Sequence, residues 1–115
     1  MLPKANRLKR IKDFQVVLKM GKGRKEDFLI LKYLKNKLSI NRVGFIVSQK
    51  VAKKATQRNK IKRRLREVVR KNLNRLTPGY DMIFIAQKGS EEKKFSELEE
   101  KVEQLLKKTK ILKND

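Results

Sequence analysis

The fold is decided by residues 42–86, which read RVGFIVSQKVAKKATQRNKIKRRLREVVRKNLNRLTPGYDMIFIA. Residues 42–48 and residues 80–86 are rich in β-branched and aromatic side chains, which predicts two strands. Between them, residues 58 to about 76 are apolar at helical spacing, and the Thr-Pro-Gly of residues 77–79 ends the helix. Because strand, long helix and strand form a βαβ unit, we expect the two strands to run parallel.

Shorter elements flank this unit. Asp13 is expected to cap a helix of about two turns that stops at Gly21 in the left-handed conformation. A basic turn over residues 21–25 leads to a strand over residues 28–34, and an apolar stripe within residues 95–106 predicts the last helix. The predicted fold class is α/β (α+β), a two-layer sandwich with a small mixed sheet and helices mainly on one side.

The charge is the unusual feature of the composition. The chain has 115 residues, of which 33 are Lys or Arg and 12 are Asp or Glu, so its net charge is +21. The length predicts one domain over residues 1–115, with a basic N-terminal arm at about residues 1–12. Such a charge attracts polyanions, so we expect a single RNA-binding domain whose partner is rich in phosphate.

Missing residue types narrow the chemistry. The chain lacks both Cys and His, so disulfides, thiolate nucleophiles, the commonest general base and the usual zinc ligands are absent. The longest apolar run, residues 82–86, is far too short to span a membrane, and the N-terminus lacks the apolar stretch of a signal peptide. We therefore expect a cytoplasmic protein with no membrane partner.

The long helix carries most of the charge. Residues 50–75 contain 12 basic side chains and one acid, Glu67. A solvated face normally alternates charges at i, i+4, whereas these like charges destabilise the isolated helix, so a bound polyanion is the favoured interpretation. The basic flank, as we call it, consists of Arg58, Lys62, Arg66 and Arg70, with Arg63 just beyond it. On the far side of the helix lie Lys60, Arg64 and Lys71.

Aromatic residues are few. Most of them fit core positions, but Phe14 and Tyr33 are retained as surfaces on which the bases of a single strand could stack. Acidic residues are few and mostly exposed on the predicted last helix, so they do not predict a catalytic site in this chain. Asp81, alone in a predicted strand, is interpreted as a turn or edge residue.

Residues 58–67, RNKIKRRLRE, resemble the basic signature helix of the bacterial ribonuclease P protein subunit. The signature is specific when it stands between two strands, as it does here. The resemblance covers roughly residues 5–108. Supporting similarities lie at residues 6–8 and 13–14, Gly21, residues 42–44 and 47–50, Ala55 and residues 80–86.

The resemblance implies a specific role. A protein of this family has a left-handed βαβ crossover and pairs with ribonuclease P RNA, a catalytic RNA that removes the five-prime leader of precursor tRNA. The RNA holds the Mg²⁺ ions, and the protein itself is expected to bind no cofactor and to need no obligate protein partner. The implied contacts to the catalytic RNA are Arg58, Asn59, Lys60, Lys62, Arg63 and Arg66, and Arg70 continues the same flank. The leader cleft is expected to contain Phe14, Leu18 and Leu31, with Lys62 at its edge and Tyr33 as a second aromatic surface.

Two other functions remain open from the sequence. Composition alone favours a ribosomal or other structural RNA-binding protein, and the signature within a βαβ unit argues against it. A self-contained nuclease is the enzymatic alternative, and the missing His and the few, mostly exposed acids argue against that.

Overall fold

The computed structural model describes residues 2–113. Four strands and three α-helices follow one another in the order αβββαβα, and three short 3₁₀ segments lie before α1, after α2 and before α3. They are α1 (Ile11–Met20), β1 (Lys22–Glu26), β2 (Leu29–Lys35), β3 (Arg42–Val47), α2 (Ala55–Asn72), β4 (Tyr80–Ala86) and α3 (Phe95–Lys108).

The strands form one mixed sheet in the order β1-β2-β4-β3. β3 and β4 run parallel, which confirms the predicted βαβ unit, and the other two pairs are antiparallel. The sheet is therefore small and mixed, as expected, and β3 is one of its two edges.

The core lies mainly on one face of the sheet. Met82 and Phe84 of β4 point to this face and pack with buried residues of α2 and α3, such as Leu65 and Leu105. The opposite face holds a smaller cluster in which Val17 of α1 packs on Leu8 and Ile83. Two of the three helices thus share one side, and α1 lies alone on the other.

Several predicted boundaries were wrong. Residues 22–26 form the edge strand β1 rather than a basic turn, because they pair with β2 along their whole length. The first helix begins at Ile11, so Asp13 lies within its first turn instead of capping it. α2 begins at Ala55, three residues before the predicted start at Arg58.

Gly21 is needed for a different reason from the predicted one. Its φ of −75° and ψ of 158° are extended, not left-handed. A Cβ at this position would collide with the carbonyl oxygens of Val17 and Tyr33. The end of α1 therefore approaches β2 too closely for any side chain.

The N-terminal arm is docked against the sheet. Leu2 and Leu8 are buried, although nothing in their spacing predicted it. The backbone N–H of Leu8 donates to the carbonyl of Val43 at 2.9 Å, and Arg7 forms a parallel bridge with the same residue. The arm thus lies along the first part of the outer edge of β3.

Candidate nucleic-acid interface

The apolar stripe of α2 turns its charges outward. Ile61, Leu65, Val68 and Val69 are buried against the sheet and α3, and the buried Asn72 amide donates to the carbonyl of Val68 at 2.9 Å. The stripe is therefore buried as predicted, and the cations occupy the remaining circumference of the helix.

The predicted RNA-binding cations have different surroundings. Arg58 donates to the carbonyls of Ala52 and Lys53, at 3.0 and 2.7 Å, so it also braces the loop before α2. By contrast, the side chains of Lys62, Arg63 and Arg66 make no hydrogen bond or ion pair within residues 2–113. Asn59 and Lys60 are exposed near the start of the helix. The three central cations are thus free to bind a ligand.

One acid, Glu67, partly neutralises the positive charge of the basic flank. Glu67 accepts hydrogen bonds from Arg70, and these bonds lower the pKa of its carboxyl and raise the pKa of the guanidinium. Arg70 is therefore partly neutralised, unlike its neighbours on the flank. On the far side of α2, Arg64 donates to the carbonyl of Lys93 at 3.3 Å, and Lys71 pairs with Glu99 of α3 at 2.7 Å.

A groove of about 590 Å³ runs between the basic flank and the N-terminal arm, around the outer edge of β3. We call it the edge groove. Its floor is apolar and its rims are basic, so it can accept both a base and a phosphate. The arm contributes Leu2, Arg7, Leu8 and Lys9, α1 contributes Phe14, β3 contributes Val43, Gly44 and Phe45, and α2 contributes Lys62, Arg63, Arg66 and Glu67.

The tip of the Phe14 ring approaches β3 closely because Gly44 has no side chain. A Cβ at Gly44 would meet three atoms of the Phe14 ring, with Cε1 at 2.6 Å. The ring is half-buried and lines the edge groove beside Lys62. The structure therefore brings together Phe14 and Lys62, which lie far apart in the sequence.

An ion-pair network fixes the start of α1 next to this ring. Arg42 donates to both carboxylate oxygens of Asp81, at 2.8 and 2.6 Å, and lies 3.4 Å from the carboxylate of Asp13. The hydrogen bond to Asp81 raises the pKa of Arg42, which therefore stays charged. Asp81 is a buried member of β4, so its interpretation as a turn or edge residue was wrong.

α1 covers only half of its face of the sheet. Ile83 is completely buried beneath it, but a row of three isoleucines beyond Ile83 is only partly buried. These side chains are neighbours across three strands, since Ile85 is in register with both Ile30 and Ile46. We call Ile30, Ile46 and Ile85 the isoleucine row. It is an open apolar strip next to α1, and it was not predicted from the sequence because each residue fits an ordinary core position.

The cleft predicted from the sequence is only partly formed. Leu18 lies one turn after Phe14 on the same flank of α1 and is 38% exposed, so it borders the open half of the sheet. Leu31 and Tyr33 do not join them. Both point to the opposite face, where Leu31 is fully buried and Tyr33 packs edge-on against Tyr80.

This correction has a simple physical reason. Successive side chains of a strand alternate between the two faces, so a shift of one residue moves a side chain through the sheet. Ile30 and Lys32, not Leu31 and Tyr33, share the face of Phe14. A strand that is apolar on both faces gives no sign of which face holds α1.

No helix within residues 2–113 combines the length and apolarity needed to cross a membrane.

Comparison with known proteins gives a consistent result. A family model for ribonuclease P matches residues 2–110. The ribonuclease P protein component of Clostridium botulinum (strain Loch Maree / Type A3) is 39% identical over 109 residues, which cover 94% of this chain and 97% of that protein. The same component of Clostridioides difficile (strain 630) is 39% identical over 105 residues, with 90% and 91% covered.

Solved structures agree with the sequence matches. The Staphylococcus aureus RNase P protein superposes with a TM-score of 0.87 at 30% identity, covering 96% of this chain and all of that one. The RNase P protein from Thermotoga maritima superposes with a TM-score of 0.81 at 34% identity, covering 89% of this chain and 96% of that one.

Proposed function

Because this chain belongs to the ribonuclease P protein family and is thus a protein component of that tRNA-processing ribonucleoprotein, we propose how it contacts its RNA partners. In this proposal the basic flank of α2 binds the catalytic RNA. The half-open face beside α1 binds the five-prime leader of precursor tRNA. The family resemblance implies the same two partners, but the surface proposed here for the leader differs from the cleft predicted from the sequence.

The observation that carries the proposal is the meeting of two unlike surfaces at Phe14. On one side stand Lys62, Arg63 and Arg66, whose side chains have no ion-pair partner among residues 2–113 and whose charges suit the phosphates of a structured RNA. On the other side lies the isoleucine row, which offers apolar contact but little charge. A single strand with unstacked bases can use such a strip, whereas a duplex hides its base faces.

Catalysis is assigned to the RNA subunit and its Mg²⁺ ions. This chain would contribute binding and orientation, which can supply much of a rate enhancement by holding the scissile bond in place. Since the precursor tRNA is a cytoplasmic substrate, the proposal keeps the cytoplasmic location expected from the sequence.

The test is processing of precursor tRNA by the reconstituted holoenzyme. Phe14→Ala should weaken binding of substrate with a long leader by about 1–3 kcal/mol, the usual contribution of one base–aromatic stack. Substrate trimmed to one leader nucleotide should be unaffected. Val16→Ala is the matched control, since Val16 is exposed on the opposite flank of the same helix.

Three results would contradict the proposal. Equal effects of Phe14→Ala on long and trimmed leaders would mean that the ring only packs against Gly44. Cleavage by the protein without RNA would revive the nuclease alternative. Equal binding of the catalytic RNA and unrelated structured RNAs would favour a general RNA-binding protein.

A further inference from the structure

The outer edge of β3 is only half covered. The arm pairs with Val43, whose carbonyl accepts from the N–H of Leu8. In a strand, the N–H and C=O of one residue point to the same side, and alternate residues point the same way. The main-chain N–H and C=O of Phe45 should therefore also point outward. Within residues 2–113, no backbone segment pairs with the outer edge of β3 after Val43, so the N–H and C=O of Phe45 have no backbone partner there.

The edge groove borders this free strand edge. Its floor includes the Phe45 ring, and the guanidinium carbon of Arg66 lies 5.9 Å from the centre of that ring. Lys62 and Arg63 stand on the same rim. A volume of about 590 Å³ is within the range of small-ligand sites and exceeds what a single base requires.

We propose that the edge groove holds one unpaired nucleotide of the RNA bound by α2. An N–H donor of its base would bind the C=O of Phe45, and an adjacent acceptor of the base would bind the N–H of Phe45. The phosphate of the nucleotide would lie between Lys62 and Arg63. The nucleotide must be unpaired, because base pairing consumes the edge that Phe45 would contact. This inference rests on the proposed binding of RNA by α2.

The occupant comes from the catalytic RNA rather than from the leader. Lys62, Arg63 and Arg66 of the groove belong to α2, so a nucleotide held there is continuous with a backbone that follows this helix. The isoleucine row lies on the α1 face of the sheet, on the other side of β3 from the ring of Phe45. Phe14 lies between the two surfaces, since it lines the groove and packs against the same small cluster as Ile46 and Ile85.

The first test needs only the full chain in a fixed phosphate background, with the backbone amide of Phe45 followed by NMR. Nucleoside monophosphates should shift this amide in a saturable way, whereas ribose phosphate, which lacks a base, should not. Arg63→Ala should weaken this binding about tenfold, as expected for loss of a charged contact to the phosphate, and Arg64→Ala, on the far side of α2, should not. Equal shifts from both probes, or none at Phe45, would overturn the inference.

The second test identifies the source of the nucleotide. Because the chain has no Cys, Lys9→Cys on the groove rim gives a unique site for a photocrosslinker. In the holoenzyme it should label an unpaired nucleotide of the catalytic RNA, with or without substrate. Labelling of the leader alone would refute the assignment. If the holoenzyme fails to form, the proposed function is contradicted. The nucleotide titration on the protein alone still tests whether the edge groove binds a nucleotide.

Discussion

Gly44→Ala should displace the Phe14 ring. The contact between Phe14 and the leader should then be lost, although residue 44 itself does not contact the leader. A Cβ at Gly44 would lie 2.6 Å from Cε1 and 3.2 Å from Cε2 of the ring, and its closest contact is to Cζ. The ring is held between β3 and α1, and the start of α1 is fixed by the pair of Asp13 and Arg42. The ring must therefore rotate off the strand.

The expected magnitudes follow from two opposing terms. Replacing Gly by Ala in a strand stabilises the fold by roughly 0.5–1 kcal/mol, because Gly loses more backbone entropy on folding. Overpacking costs about 1–3 kcal/mol, so the net destabilisation should be roughly 1 kcal/mol. Loss of one stack costs a further 1–3 kcal/mol in leader binding, which is about 5- to 150-fold in Kd.

A double-mutant cycle isolates this effect. In the Phe14→Ala background the ring is gone, so Gly44→Ala should become neutral or slightly stabilising. The coupling free energy, measured by urea unfolding, should be about 1–3 kcal/mol. Gly23→Ala is the matched control, since its new Cβ would meet only the flexible Lys32 side chain, at 3.3 Å or more.

The assay for function is the affinity of the holoenzyme for precursor tRNA with long and one-nucleotide leaders. Gly44→Ala should weaken only the long-leader substrate, and Phe14→Ala should give the same pattern. Additive stability changes for Gly44→Ala and Phe14→Ala would refute the reasoning. So would a Gly44→Ala protein that is destabilised but binds the long leader normally.

Other predictions concern the charges. Arg66→Ala should weaken binding to the catalytic RNA and lower the salt slope of log K by roughly one, whereas Arg64→Ala, on the far side, should do so less; equal effects would indicate a diffuse field. Arg58→Ala should weaken binding and also increase protease cleavage before α2, because Arg58 braces that loop. Glu67→Gln should strengthen RNA binding, because it removes the acid that neutralises Arg70; an unchanged Kd would count against this. Sulfate should raise Tm more than chloride of equal ionic strength, since bound anions relieve the charge of +21; equal effects would exclude specific anion sites.

Local patterns in the sequence were sufficient for much of the architecture. The stripe on α2 predicted both its buried face and its basic flank, because helical periodicity alone determines which residues share a face. The parallel pairing of β3 and β4 followed from the long helix between them, since a tight turn cannot connect parallel strands. The family resemblance added the expected partners.

The site required tertiary structure. No local pattern shows that α1 lies on the face opposite α2 and α3, so no pattern could show that Ile30, rather than Leu31, borders the cleft. Nor does any pattern show that the arm pairs with Val43 but that no segment within residues 2–113 pairs with Phe45. Both properties depend on which distant segments pack against a given strand. A strand that is apolar on both faces accepts a partner on either one, and the packing of the whole chain selects between them.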